Sequence, residues 1–264
     1  MASRTKQKEE ARARRLAEER ARAERARRNR RVRMIGGVVL AAVAIVAVAI
    51  AVSSGGGKKP GGLQTGTSAS QTVSQVQQMF AGIPQSGATL GSPTAPVTMT
   101  YYGDLECPVC QAFTLSGGFP QLVANEVRSG KVKVVYKAFE TATPDPTTFQ
   151  TQQVAALAAG KQNHFWEFTE LFYRQQGQEN TGYVTESYLD GLARQIPGLN
   201  FNTWKTDRGD PSLAAQVQSD GAAGKTAGVS GTPTLIFTGP KGSATPNAGV
   251  PSYSDLQNAI KQVA

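Results

Sequence analysis

Hydrophobic and polar positions divide the 264-residue chain into three regimes. Positions 34–52 form 19 consecutive uncharged residues built mainly from Val, Ala, Ile, Leu and Gly. As a helix this run would extend roughly 28 Å, close to the hydrocarbon thickness of a bilayer, and it has no polar face. It is expected to be a transmembrane helix. Positions 53–70 (SSGGGKKPGGLQTGTSAS) have no apolar period and are Gly/Ser-rich, the composition of a flexible tether. From position 97 the pattern alternates between strand and helix. Strands are expected over 97–102, 132–139 (VKVVYKAF) and 234–238. Helices are expected over 71–80, 111–129 (broken near Gly117-Gly118 and Pro120), 149–159, 163–176, 186–195, 201–206, 211–227 and 254–263. Turn residues crowd 82–96, and Pro144 and Pro146 read as the end of the second strand's unit. Phe165, Phe168 and Phe172 fall on one helical face and are expected in the core.

The order is therefore strand, helix, strand, a helical block of roughly 75 residues, then strand and helix. This predicts an α/β domain over 76–264 with a helical insertion at about 147–227. Ahead of it come a basic arm at 1–33, the span at 34–52 and a linker at 53–75.

Charge changes the picture at one end only. Residues 1–33 hold 14 Lys/Arg against 5 Asp/Glu, which accounts for the whole net charge of +9. The remainder is balanced, so the α/β domain carries no basic footprint for nucleic acid. The arm is rich in Ala, Arg and Glu without an apolar stripe. It reads as a solvated helix or a disordered segment that is attracted to anionic inner-leaflet lipids. Lys/Arg beside a span stay cytoplasmic, so the domain is expected outside the cytoplasm. A cleaved signal peptide is the competing reading, with Ala51-Val52-Ser53 as a weak cleavage site. However, its apolar core would usually be only about 7–15 residues long.

The candidate chemistry is Cys107-Pro108-Val109-Cys110, which contains both cysteines of the chain. A Cys-x-x-Cys between a strand and a helix points to thiol–disulfide exchange. A thiolate at a helix N-terminus meets unpaired N–H groups and the positive end of the dipole, which lower its pKa. Two plainer readings compete. A structural disulfide closing so short a loop would contribute only about 2 kcal/mol. Half of a zinc site would need further ligands, and the chain has a single histidine, His164. His164 itself reads as a metal ligand or base on one view and as an ordinary helix residue on the other, which is preferred.

Residues 100–113 (TYYGDLECPVCQAF) and 228–237 (GVSGTPTLIF) resemble the DsbA-like branch of the thioredoxin superfamily, in particular its membrane-anchored bacterial members. Ile83-Pro84-Gln85, the stretch 90–98 (LGSPTAPVT) and Phe165-Trp166-Glu167 are similar to that branch too. The resemblance covers about 76–264. It implies a thioredoxin-like fold, with Cys107 as the exposed nucleophile and Cys110 as the buried resolving cysteine. Pro108 and Val109 would tune the potential, and Thr232 with a cis Pro233 would line the substrate groove. It implies an extracytoplasmic oxidoreductase that needs no cofactor and oxidises unfolded or reduced client proteins. Its reoxidant would be a quinone-linked membrane partner of the DsbB or vitamin K epoxide reductase type. Two positions depart from the pattern. The buried acid that many relatives carry six residues before the first cysteine is here Tyr101, which leaves Asp104 and Glu106 as proton-relay candidates. The residue before Cys110 is Val109 and not His, which implies a moderately oxidising couple. The rival readings are a reductase or isomerase of the same fold, and a non-enzymatic metal-binding module using both thiols.

Overall fold

The computed structural model describes residues 62–246 and 249–264. The expected basic arm and transmembrane helix lie outside these residues. Among the described residues, no helix is long and apolar enough to cross a membrane.

The first element is α1 (Gly66–Phe80), which turns Ala69, Val76 and Phe80 inward. The linker expected over 53–75 therefore ends earlier than its composition suggested. Gly, Thr and Ser are poor helix formers, but packing of α1 against a later helix holds these residues in place. Two short strands follow, β1 (Gln85–Ser86) and β2 (Thr89–Leu90). They are too short to show a period.

The sheet is built on β3 (Val97–Gly103) and β4 (Val132–Ala138), which pair in parallel from Val97↔Val132 to Gly103↔Ala138. Alternate β4 residues are buried, as a period of two requires. Between these strands lie α2 (Pro108–Leu115), α3 (Phe119–Leu122) and one π-helical turn (Val123–Val127). The expected break at Gly117-Gly118 separates α2 from α3. After the insertion, β5 (Thr234–Gly239) returns antiparallel to β3 and carries β6 (Gly242–Ala244) on its edge. The six strands run β1-β2-β4-β3-β5-β6.

The insertion comprises α4 (Pro146–Gly160), α5 (Phe165–Arg174), α6 (Glu186–Gln195), α7 (Phe201–Asp207) and α8 (Pro211–Thr226). Pro146 opens α4 and does not merely end the preceding unit. Asp145 accepts from the Thr147 and Thr148 N–H groups, and Pro146 occupies the first turn, where its missing N–H costs nothing. Every residue of α4 from Gln152 to Gly160 is buried, and α5, α6, α7 and α8 all pack on it. α9 (Tyr253–Val263) closes the chain behind a capping box of Ser252 and Asp255.

The phenylalanine face of α5 is in the core as expected: Phe165, Phe168 and Phe172 are fully buried. Phe168 packs against Trp204 of α7 with ring centroids 6.0 Å apart. Trp166 stacks on Phe119 of α3 at 5.5 Å, tying the insertion to the sheet layer. Replacing Phe168 with Ala is expected to destabilise the fold by about 3–5 kcal/mol, read as a lower urea midpoint at unchanged slope. A loss below about 1 kcal/mol would contradict this packing.

Candidate active site

The site forms where β3 ends and α2 begins. Gly103 closes β3, and a Cβ there would lie 2.6 Å from the Tyr136 ring, so only glycine lets that ring pack beneath the following turn. The turn delivers Cys107 as the N-cap of α2, with Pro108 in the first helical turn. Both cysteines carry free thiols. Cys107 is 5% exposed and Cys110 is fully covered, while Val109 between them is 39% exposed. Cys107, expected to be exposed, is therefore itself buried; only Pro108 and Val109 of the motif face solvent, and the Cys110 sulfur is turned fully inward.

Hydrogen bonding makes the two sulfurs unequal. The Cys110 N–H donates to Cys107 Sγ at 3.4 Å. Cys107 Sγ in turn donates to the Thr232 carbonyl at 3.4 Å. The Cys107 thiol is lowered to about 6. The neighbouring Cys110 thiol contributes most, burial opposes, and the Thr232 side chain and the N–H groups of Cys110 and Val109 assist. Burial pushes the Cys110 thiol well above the ordinary range, and its proximity to Cys107 pushes it further.

Thr232 and Pro233 come from the loop entering β5, and the peptide bond between them is cis. The Thr232 carbonyl meets Cys107 Sγ although 125 residues separate the two in sequence. Pro233 is buried and Thr232 half-buried.

Beneath Cys110 lies a layer of phenols. The Tyr101 hydroxyl is 3.3 Å from the Thr114 hydroxyl and 3.4 Å from that of Tyr173. The Tyr173 hydroxyl donates to the Asp104 carbonyl at 3.3 Å. Burial raises Tyr101, Tyr136 and Tyr173 well above the usual phenol range, and Cys110 is among the groups acting on each. All three are neutral at physiological pH; Tyr101 and Tyr173 are hydrogen-bonded, whereas the buried Tyr136 hydroxyl has no partner.

Asp104 and Glu106, the relay candidates, are both buried. The Asp104 carboxyl accepts from a loop at 141–143 and from Gln152. Glu106 is raised above the usual carboxyl range by burial, with the Thr143 hydroxyl opposing and Asp104 and Glu179 adding like charge. His164 lies elsewhere, its Nδ1 3.8 Å from Glu167 at the start of α5. Among the described residues, no group of three or more His, Cys, Asp or Glu is placed to hold a metal ion.

Sequence reasoning missed the contacts that lock the turn from outside. The Gln176 side chain, just past α5, donates to the Leu105 carbonyl at 2.6 Å and the Cys107 carbonyl at 3.3 Å. Gln111 of α2 returns a bond to the Tyr173 carbonyl at 2.7 Å. No local pattern marks such residues, because their partners lie more than 60 positions away.

The chain is similar to known proteins. A family model described as Thioredoxin matches residues 85–262. The Probable disulfide bond formation protein D of Bacillus anthracis is 24% identical over 184 residues, covering 69% of this chain and 80% of that protein. The Disulfide bond formation protein D of Bacillus subtilis (strain 168) is 28% identical over 153 residues, covering 55% of this chain and 65% of that protein. Among solved structures, oxidised BdbD from Bacillus subtilis superposes with a TM-score of 0.58 at 22% identity, covering 67% of this chain and 91% of that one. The structural likeness concerns the fold, and the family match extends from β1 to the last helix. The chain belongs to the thioredoxin family and is a DsbA-like thiol–disulfide oxidoreductase.

Proposed function

We propose that the protein oxidises client thiols outside the cytoplasm, using Cys107 and Cys110 as its redox couple. The observation that carries this reading is Cys107 Sγ at the N-cap of α2, held by the Cys110 N–H and facing Thr232. In the oxidised form a client thiolate attacks Cys107 Sγ. The Cys107–Cys110 bond breaks, Cys110 takes the electron pair and then a proton, and a mixed disulfide joins the client to Cys107. A second client thiolate attacks the client sulfur of that bond, and Cys107 leaves as a thiolate. Two electrons pass to the enzyme and the client gains one disulfide.

The inequality of the sulfurs suits this direction. Cys107, lowered to about 6, is a good leaving group near neutral pH. Stabilising its thiolate stabilises the reduced enzyme, which favours accepting electrons. The client is expected to lie extended beside Thr232-Pro233, held by backbone pairing and not by its sequence. Pro108 and Val109 set the balance of the couple. The names of the Bacillus relatives, which are disulfide bond formation proteins, support this direction.

Reoxidation falls to a quinone-linked membrane partner of the DsbB or vitamin K epoxide reductase type. Residues 34–52 anchor the chain, with 1–33 cytoplasmic and the catalytic domain outside, where disulfides persist. Protease added to intact spheroplasts is expected to remove the domain and spare the arm. A protected domain would overturn this topology.

Division of labour between the cysteines is directly measurable. Cys110→Ser is expected to accumulate covalent complexes through Cys107, and Cys107→Ser to lose both activity and trapping. Equal activity in both variants would contradict the mechanism. The sign of the pH dependence follows from the lowered Cys107 thiol. Its contribution to the stability of the reduced fold is complete above the ordinary thiol value of 9.0 and fades as pH falls to about 6. Reduced wild-type protein is therefore expected to lose stability relative to reduced Cys107→Ser between about pH 9 and about pH 6. A constant difference across that window would rule out a stabilised thiolate.

A further inference from the structure

Asp104 is completely buried, and every contact it makes is with a neutral donor. Oδ1 accepts from the Glu106 N–H at 3.1 Å, the Thr143 hydroxyl at 2.7 Å and the Gln152 amide at 3.3 Å. Oδ2 accepts from three consecutive backbone N–H groups, Thr141 at 3.0 Å, Ala142 at 2.8 Å and Thr143 at 3.0 Å. No Lys or Arg pairs with it among the described residues. A carboxylate offers about four lone-pair sites, so six donors leave none idle. A proton carrier needs a free acceptor position, and Asp104 has none.

The loop it gathers leads back to the reactive sulfur. The Thr141 hydroxyl is hydrogen-bonded to the Thr232 hydroxyl. The Thr232 carbonyl accepts from Cys107 Sγ, and Cys107 lies three residues after Asp104. These contacts close a ring: Asp104, Thr141, Thr232, Cys107 and back through the turn to Asp104. Three converging N–H groups fix the backbone of Thr141, and with it the origin of the hydroxyl that reaches Thr232. When Thr141 donates its proton to Thr232 Oγ1, the Thr232 hydroxyl proton is left free to face the sulfurs.

We propose that Asp104 is a positioning residue for the exchange, acting through the 141–143 loop and Thr141 to hold Thr232 against Cys107. This rests on the reading of Cys107 as the nucleophile. The role differs from the proton relay expected from the sequence, because Asp104 moves no proton and touches neither sulfur with its carboxyl. The titratable groups around the ring are Cys110 beside Cys107, Glu106 between Asp104 and Cys107, and the buried phenols Tyr136 and Tyr183, on which Asp104 acts. None of them belongs to the path through Thr141.

The test measures alkylation of Cys107 against pH in the reduced full chain, with the modified cysteine identified by mass. The variants are Asp104→Asn, Thr141→Val, Thr141→Ser and the double Asp104→Asn/Thr141→Val. Thr141 is exposed, so its replacement by Val leaves the core intact even if Asp104→Asn fails to fold. Thr141→Val is expected to raise the midpoint from about 6 by roughly 1 unit, cutting thiolate at the original midpoint about fivefold. Asp104→Asn is expected to move it in the same direction. The double variant is expected to move no further than the larger single shift, because both act along one path. Thr141→Ser is expected to restore the wild-type midpoint. An unchanged midpoint in Thr141→Val overturns the proposal, as does full additivity in the double variant. Client oxidation by Cys107→Ser is the separate control. If that variant retains activity, the reading of Cys107 fails; if it is inactive while Thr141→Val titrates as wild type, only the positioning role of Asp104 fails.

Discussion

A sulfur can carry charge inside a protein only if donors replace the water it has lost. At the N-cap of α2, the Cys110 N–H supplies such a donor to Cys107, and the Val109 N–H adds to it. Much of the surrounding architecture keeps that geometry in place. β3 delivers the turn, Gly103 makes room for Tyr136 beneath it, and Gln176 of the helical insertion grips its carbonyls. The loop before β5 supplies Thr232 from the other side. Sheet and insertion thus meet at the cysteines, which gives the insertion a mechanical reason to exist beside whatever it offers a client.

The interior behind the pair is unusual in what it lacks. No carboxyl group sits at the Tyr101 position, and phenols occupy the space below Cys110. Neutral phenols with raised pKa values can donate a hydrogen bond to a sulfur that is leaving, but they do not hold a spare charge near it. The buried acids lie to one side. Asp104 is consumed by backbone donors, whereas Glu106 is raised by its burial and by its acidic neighbours.

Much of this was readable in the sequence, for physical reasons that differ by element. The period of two over 132–139 and the phenylalanine face of α5 both come from burial on one side, so pattern alone located them. Helix starts were harder. Gly66 opens a helix that only tertiary packing sustains, and Asp145-Pro146 reads as a stop unless it is seen as a cap followed by a first-turn proline. At the site, Cys107 and Cys110 declared themselves by spacing. Pro233 and Thr232 were reached through resemblance, because nothing local says they face a sulfur 125 residues away. Thr141 and Gln176 had no signal at all, since a hydrogen bond across the fold leaves no trace in neighbouring residues.

The central claim is that stabilising the Cys107 thiolate makes the reduced pair the favoured state. The most direct measurement is the reduction potential of the Cys107/Cys110 couple, taken by equilibrating the protein with glutathione of known composition. The account predicts a value above that of thioredoxin, about −270 mV, and below that of DsbA, about −120 mV. A value at or below about −270 mV would mean that the disulfide is the favoured state, and would contradict the assignment as an oxidant.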